Sequence, residues 1–140
     1  MIFGKVKIYL SDKLFSILVR KRDRKCVFGV KCIPAERTDW QTGELDIKYL
    51  SACHFIGRRN DEVRIDPRNA DAGCGACHKY IDETDEGKKW HREFKKKQLG
   101  EAGVDKLMID STGLSMKRVT ENEKRIYVRI LMKEMGINER

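Results

Sequence analysis

The sequence predicts a small α+β fold in which two short strands and a following helix are held together by cysteines and flanked by further α-helices. Two observations favour this fold: a strand-like run leads into a cysteine-histidine pair, and a C-x-x-C pair opens a segment that can form a helix. The 140 residues, 40% of them hydrophobic, suffice for one domain with a modest core. We expect a single domain, with its core at about 11–85 and a helical C-terminal extension at about 86–140.

The charge balance points to a polyanionic partner. Lys and Arg number 30 against 22 Asp and Glu, a formal net charge of +8. Basic proteins favour nucleic acid, because neutralising phosphates releases condensed counterions. No apolar run reaches the roughly 18 to 20 residues that span a bilayer, and the N-terminus lacks a signal-peptide pattern. A soluble intracellular protein with no membrane partner is therefore expected.

An amphipathic helix is predicted near the start of the chain. Ser11 can cap a helix over residues 12–24. The buried stripe of this helix is formed by residues at helical spacing, namely Leu14, Phe15, Leu18 and Val19. Basic residues crowd its end, where they suit the helix dipole and could also meet phosphate.

Two strands are predicted next. Apolar and polar residues alternate from Leu45 to Tyr49, and this run continues into Cys53 and His54. After a turn at Gly57, a second short strand is expected near residues 63–65. These strands would form the ββ half of the core.

The remainder of the chain reads as helical. Helices are predicted from about residue 75, over 87–99, over 101–109, and from a capping box at Thr120 to a stop at Gly136. In the second of these, Trp90 and Phe94 form the inner face, while His91 and the surrounding lysines, Lys95 among them, are expected at the surface. The last helix has an apolar face that is either core or the contact of a homodimer. Its members are Ile126, Tyr127, Ile130, Leu131 and Met135.

Five cysteines include two pairs with the composition of a zinc site. In a reducing compartment, C-x-x-C spacing indicates metal ligands rather than disulfides. Four thiolates, Cys26 with Cys32 and Cys74 with Cys77, would complete a tetrahedral structural Zn²⁺ site. The gap between Cys26 and Cys32 is wider than usual, and the alternative is that one of them is an ordinary buried thiol.

Four further residues between the cysteine pairs and just after them could carry out hydrolysis. A neutral imidazole near neutral pH can deprotonate water, so His54 is the candidate general base, although isolated histidines are usually structural. Asn69 could ligate a catalytic metal or orient His54, or it could simply form a turn after Pro67. His78 could bind the metal from the helix, or play a cap-like role. Asp82 lies four residues on, on the same helical face, and is either a further ligand or solvent-exposed.

Basic side chains surround these residues. Guanidinium groups suit phosphate binding, because their fixed donors match its oxygens. The candidates for DNA contact are Arg58, Arg59, Arg64, Arg68 and Lys79.

These motifs together resemble the HNH (ββα-metal) endonuclease superfamily, and most closely its NinG/Rap recombination nucleases of lambdoid phages. The resemblance covers roughly residues 14–135. It is carried by HFIGRR at His54 to Arg59, RIDPRN at Arg64 to Asn69, CGACH at Cys74 to His78, and LGEAGVDKL at Leu99 to Leu107.

The resemblance implies a phage or prophage endonuclease in the cytoplasm of a bacterial host, acting on branched DNA such as Holliday junctions and D-loops. His54 would be the general base, Asn69 and His78 the other HNH members, and the cysteine pairs the zinc ligands. The catalytic ion would be Mg²⁺, Mn²⁺ or Ni²⁺. This chain departs from the family at Cys53, where an acidic metal ligand is common; a thiolate there would favour softer ions, or Cys53 packs inward.

Two other functions fit the same residues. One is a non-catalytic zinc-knuckle protein that binds DNA through charge alone. The other is a zinc module that is directed to RNA or related to transcription. Loss of cleavage, with retained binding, in a His54→Ala variant would separate the nuclease from the binding module.

Overall fold

The computed structural model describes residues 7–32, 47–112 and 119–139. Within them the fold mixes helices with a small two-stranded sheet, as predicted. In chain order the elements are α1 (Leu10–Asp23), β1 (Leu50–His54), β2 (Ala70–Cys74), α2 (Gly75–Glu83), α3 (Asp85–Ser111) and α4 (Glu121–Glu134). Three 3₁₀ turns, Ile47–Tyr49, Asp61–Val63 and Pro67–Asn69, lie around the strands.

The two strands are antiparallel, and Cys53 pairs with Asp71 while His54 pairs with Ala70. β1 begins at Leu50, later than predicted, because residues 47–49 form a 3₁₀ turn. The strand expected near residues 63–65 is wrong: Val63 and Ile65 are buried within the loop between the strands. The second strand is instead Ala70–Cys74, whose small residues give a weak strand signal in the sequence.

The stripe predicted for α1 is confirmed, because Leu14, Phe15, Leu18 and Val19 are all buried. The capping prediction is wrong by two residues. Tyr9 is the N-cap, and its backbone N–H donates to Asp12 Oδ2 over 2.8 Å. Ser11 lies inside the helix, and its hydroxyl donates to the carboxylate of Glu121 in α4. The cluster around this stripe joins α1 to the sheet and to Val128 and Met132 of α4.

α2 begins at Gly75, as predicted, and α3 packs against it. α3 bends at Gly100, whose φ of 77° is non-helical, so the two helices predicted on either side of residue 100 are confirmed as two segments. The inner face of the first segment is different from the one predicted. His91 and Lys95 are buried, whereas Trp90 and Phe94 are half-buried, so the expected surface positions of His91 and Lys95 are wrong.

The buried face of α3 repeats every four residues, at Gly87, His91 and Lys95. A Cβ at Gly87 would lie 1.8 Å from the carbonyl oxygen of Tyr80, so only glycine lets α3 approach α2 this closely. Lys95 is stabilised where it lies, because its Nζ donates to Asp71 Oδ2 over 2.6 Å and to the Arg68 carbonyl over 2.5 Å. Because this face carries a histidine and a lysine, the pattern of apolar residues in the sequence did not identify it as buried.

α4 follows the predicted capping box, in which Thr120 Oγ1 accepts from the Glu123 N–H over 3.1 Å. Its predicted apolar face is mostly wrong. Four of the five residues, Ile126, Tyr127, Ile130 and Met135, are 42% to 55% exposed, while Leu131 is partly buried against the core. The buried residues of α4 are Lys124, Val128 and Met132. The alternative that this face is core therefore holds only at Leu131, and a homodimer contact stays a prediction. Among the residues described, no helix combines the length and apolarity needed to cross a bilayer.

Candidate functional site

The four cysteines predicted to bind zinc lie together. The Sγ atoms of Cys26, Cys32, Cys74 and Cys77 are all within 4.8 Å of one another. Cys32 Sγ is 3.8 Å from the Sγ atoms of both Cys74 and Cys77. A tetrahedral zinc with Zn–S bonds of about 2.3 Å requires sulfurs about 3.8 Å apart. The cluster could therefore hold a structural metal such as zinc, and neither Cys26 nor Cys32 is an isolated core thiol.

The wide gap between the first two cysteines is accommodated by a turn at Gly29, whose φ is 65°. Beyond it the backbone N–H of Lys31 donates to Cys77 Sγ over 3.2 Å, a bond that stabilises a thiolate. Burial raises the pKa of Cys77 to about 11, so this thiol would release a proton when a dication binds. The cluster ties the segment after α1 to the junction of β2 and α2.

An open cavity of about 880 Å³ lies beside this cluster, between α1, β1, α2 and α3. Three of the residues predicted to act in catalysis, His54, His78 and Asp82, line it together. Basic side chains line it as well, namely Arg20, Arg58, Lys88 and Arg92. The cavity thus combines an imidazole at the end of a strand with a histidine-carboxylate pair on a helix and a positively charged rim.

His54 is held at the end of β1 by the backbone of Arg64 and Ala52 and by the ring of Phe15. Its Nε2 lies 2.9 Å from the carbonyl oxygen of Arg64. A carbonyl only accepts hydrogen bonds, so Nε2 carries the hydrogen and the lone pair of the neutral ring is at Nδ1. Burial lowers the pKa of His54, although the Arg64 carbonyl opposes this shift. The ring is therefore neutral, and able to accept a proton, at neutral pH.

Asn69 is fully buried and holds the loop that follows β1. Its Oδ1 accepts from the Ile56 N–H over 2.8 Å. Its Nδ2 donates to the carbonyl of Ile56 over 2.8 Å and to that of Val63 over 3.1 Å. The prediction that the Asn69 amide ligates the metal or orients His54 directly is wrong, because the amide is used by loop backbone. The alternative, a turn after Pro67, is confirmed by the 3₁₀ turn Pro67–Asn69. Asn69 instead shapes the loop that carries Arg64 towards His54.

His78 and Asp82 form a pair on the exposed side of α2. His78 Nε2 and Asp82 Oδ2 are 2.8 Å apart, across one helical turn. Asp82 is half exposed, at 51% of its side-chain surface, and His78 at 35%. Two donors this close could bind one divalent ion. Within the described residues, however, only the cysteine cluster gathers three or more such ligand atoms within 4.8 Å.

Two of the arginines predicted to contact DNA are occupied by carboxylates. Arg64 is only 6% exposed, and its guanidinium donates twice to Asp12, over 2.7 and 2.6 Å. Arg68 donates to Asp66 and, over 2.9 Å, to Asp110. The prediction that Arg64 binds phosphate is wrong, and Arg68 is held in ion pairs. Burial alone would raise the pKa of Asp12, but the hydrogen bonds from Arg64 and the Tyr9 N–H, together with the nearby positive charges, outweigh it and lower that pKa.

The remaining predicted contacts are more accessible. Arg58 is half-buried and lines the cavity, while Arg59 and Lys79 are exposed. Arg20, Lys88 and Arg92 also line the cavity, although no sequence pattern predicts that they share a cavity with His54. They come from α1 and α3, which only the folded chain brings to the same cavity.

Cys53, the residue where the family usually has an acidic ligand, packs inward. It is fully buried in a cluster with Phe28, Cys74, Cys77 and Ile81. Burial raises the pKa of its thiol, so Cys53 is protonated at neutral pH. Of the two readings of this residue, the inward one is confirmed.

Sequence reasoning also missed the buried histidine of the cavity, His91. It was expected among surface lysines, yet it is 4% exposed and lines the cavity. The four-residue repeat of Gly87, His91 and Lys95 is the signal that could have found it. No protein-family model, curated protein or solved structure matches the chain.

Proposed function

We propose that this chain is a metal-dependent DNA endonuclease of the HNH type, with His54 as the general base. One observation carries the proposal: the hydrogen bond between His54 Nε2 and the Arg64 carbonyl, on the wall of a cavity that also contains the His78–Asp82 pair. The order β1, β2, α2 and the cysteine cluster beside them support the same conclusion.

The chemistry of His54 follows from its tautomer. Nδ1 accepts a proton from the attacking water while the water oxygen forms a bond to phosphorus. The bond from phosphorus to the leaving sugar oxygen breaks, and that oxygen takes up a proton from solvent. Positioned bases of this kind contribute about 10²- to 10⁴-fold to the rate. Arg64 is a positioning residue here, since its carbonyl fixes the ring and its side chain is anchored to Asp12.

A catalytic divalent ion would be held by His78 and Asp82. Such an ion neutralises charge on the phosphate and makes water easier to deprotonate. An imidazole and a carboxylate suit Mn²⁺ or Ni²⁺, and Mg²⁺ less well. Asp82 and His78 are both accessible from the cavity, so the fit of these donors to a dication is chemically reasonable.

The basic rim supports a nucleic-acid substrate. Arg20, Arg58, Lys88 and Arg92 line the cavity, and the chain carries a net charge of +8. A phosphodiester in the cavity would meet several of these charges while lying beside His54. Strong salt dependence of binding is the expected consequence.

The preferred substrate is branched DNA, such as a Holliday junction or D-loop. This part of the proposal rests on the resemblance of the motifs to phage recombination nucleases. In that setting the protein would act in the cytoplasm of a phage-infected or prophage-carrying bacterium.

A cleavage panel tests the proposal. Purified zinc-loaded protein is incubated with junction, flap and linear duplex DNA and with RNA, in Mg²⁺, Mn²⁺ or Ni²⁺, with and without chelator. We expect cleavage of DNA that needs the ion, is stopped by chelator and is fastest on the junction. Binding without cleavage in every ion would favour the zinc-knuckle binding module instead. Preference for RNA in competition would favour the RNA-directed module.

A further inference from the structure

His91 has a nitrogen without a partner in the interior of the protein. Its Nε2 is the only buried side-chain nitrogen or oxygen, among the described residues, that lacks a hydrogen bond. The ring packs edge-on against Phe28 and Phe55, with centroids 5.4 and 5.2 Å apart. This packing fixes the ring but leaves the polar atom unsatisfied, which is unfavourable inside a protein unless a ligand completes it.

The cavity that His91 lines has fewer metal donors than the sequence predicted. Cys53 packs into the core and Asn69 is used by the loop after β1. His54 has its Nε2 on the Arg64 carbonyl and is needed as a base. His78 and Asp82 alone would give a weak site for a transition-metal ion, because catalytic zinc sites, for example, usually have three protein ligands.

We propose that His91 supplies the third protein ligand to the divalent ion held by His78 and Asp82. This inference rests on the proposed function. The residue before the general base is Cys53, which packs into the core and supplies no ligand. His91 of α3 would supply the missing ligand instead. The three donors come from two helices packed together, α2 and α3. Nε2 of His91 would then have a partner in the metal-bound protein.

The donor set has a chemical consequence. Two imidazoles and one carboxylate suit Mn²⁺, Co²⁺, Ni²⁺ or Zn²⁺ and are poor ligands for Mg²⁺, which prefers oxygen. Burial lowers the pKa of His91 to about 4, so its ring is neutral over the whole working range. Because the three groups are not gathered within 4.8 Å in the structure, binding requires a side-chain adjustment at His78 or Asp82.

Metal affinity, measured without DNA, tests this role. The full chain is loaded with zinc at the cysteine cluster, and Ni²⁺ is then titrated by calorimetry into wild-type, His91→Phe, Asp82→Asn and His54→Gln proteins. Phe preserves the aromatic packing around position 91. We expect His91→Phe and Asp82→Asn each to weaken Ni²⁺ binding at least about tenfold, since even the residues that only support a ligand are worth 10- to 100-fold. His54→Gln should bind Ni²⁺ as the wild type does.

A second measurement needs no change at position 91. The chain has three histidines, so ¹⁵N-histidine spectra resolve each ring. Adding Zn²⁺ beyond the first equivalent should shift the imidazole nitrogens of His78 and His91 and leave those of His54 in place. A shift at His78 alone, or wild-type Ni²⁺ affinity in a folded His91→Phe variant, overturns the assignment.

The two proposals can fail separately. A protein that binds Ni²⁺ through His91 but cleaves nothing supports the ligand and refutes the nuclease. A protein that cleaves DNA while His91→Phe keeps its metal affinity supports the nuclease and refutes the ligand. Absence of any second ion in the wild type contradicts both.

Discussion

At the scale of single residues, the environment of His54 sets the pH range in which it can act. Its pKa is lowered by burial, below the usual value of about 6.5. A base is active when unprotonated, so activity is full above that pKa and is lost as pH falls through it. We expect the acid limb of the cleavage rate to have its midpoint below pH 6.5. A limb centred at or above 6.5 in kcat/KM would contradict the buried, carbonyl-bound ring.

Asn69 is expected to matter for stability rather than for metal binding. In Asn69→Ala the N–H of Ile56 and the carbonyls of Ile56 and Val63 lose their partner inside the protein. Each unsatisfied buried group costs about 1–3 kcal/mol, so the free energy of unfolding should fall by at least that amount. Urea denaturation of the zinc-loaded protein measures it.

The Asn69→Ala variant also distinguishes support of the loop from metal binding. Its Ni²⁺ affinity, measured where the protein is still folded, should equal that of the wild type. Unchanged stability together with weaker Ni²⁺ binding would instead restore Asn69 as a ligand.

Some residues of the site could be predicted from the sequence, because their chemistry is local. Cysteine spacing identified all four cysteines of the cluster, and one helical turn related His78 to Asp82. His91 and Asn69 could not be assigned in this way. Their roles depend on partners brought close by the fold, namely the aromatic rings around His91 and the loop backbone around Asn69.

At the scale of secondary structure, the helices and the end of the first strand were predictable and the second strand was not. The apolar stripe located α1 and the capping box located α4, whereas β2 consists of small residues whose strand character comes from pairing with β1. Val63 and Ile65 mimic a strand because they alternate, yet the loop between the strands buries them. The inner faces of α3 and α4 were misread, because Lys95 and Lys124 are buried with carboxylate partners.

The loop after β1 is expected to depend on the ion pair between Arg64 and Asp12. Removing one partner of a buried pair leaves an uncompensated charge, which typically costs about 3–5 kcal/mol. Arg64→Met should therefore lower the free energy of unfolding by about this amount. Lys79→Met is the matched control, since it removes the same charge from an exposed position on α2 and should change stability by no more than about 0.5 kcal/mol.

DNA affinity tests whether the Arg64 side chain contacts phosphate instead of stabilising the loop. If Arg64 contacted phosphate, its loss would weaken DNA binding without unfolding the protein. Equal stability of Arg64→Met and wild type in urea denaturation would show that the buried pair is not what holds this loop.

The cysteine cluster is expected to hold one zinc per chain. Cys74→Ser should lose that ion, as measured by elemental analysis of the purified protein, because it removes one of four ligands. It should also unfold more readily, since the cluster joins the segment after α1 to α2. Cys53→Ala is the control, because Cys53 is buried but is not one of the four cysteines of the possible zinc site. Its loss should leave the zinc content at one. Full zinc content in Cys74→Ser would argue against a four-cysteine site.

At the scale of the whole molecule, several separate interactions position the elements that surround one cavity. The cysteine cluster lies at the junction of β2 and α2, and the Arg64–Asp12 pair fixes the loop after β1. α3 is anchored to β2 by the Lys95–Asp71 ion pair and lines the cavity with His91. The sequence predicted the α+β class and the cysteine cluster. It could not predict the cavity itself, because α1 and α3 meet there only in the folded chain.

The exchange of His54 for glutamine tests the central claim most directly. Gln keeps a donor for the Arg64 carbonyl but cannot accept a proton near neutral pH. Single-turnover cleavage of junction DNA is measured for wild type and His54→Gln, with DNA binding followed by fluorescence anisotropy. We predict that cleavage falls about 10²- to 10⁴-fold while the binding constant is unchanged. Cleavage by His54→Gln at the wild-type rate would contradict His54 as the base.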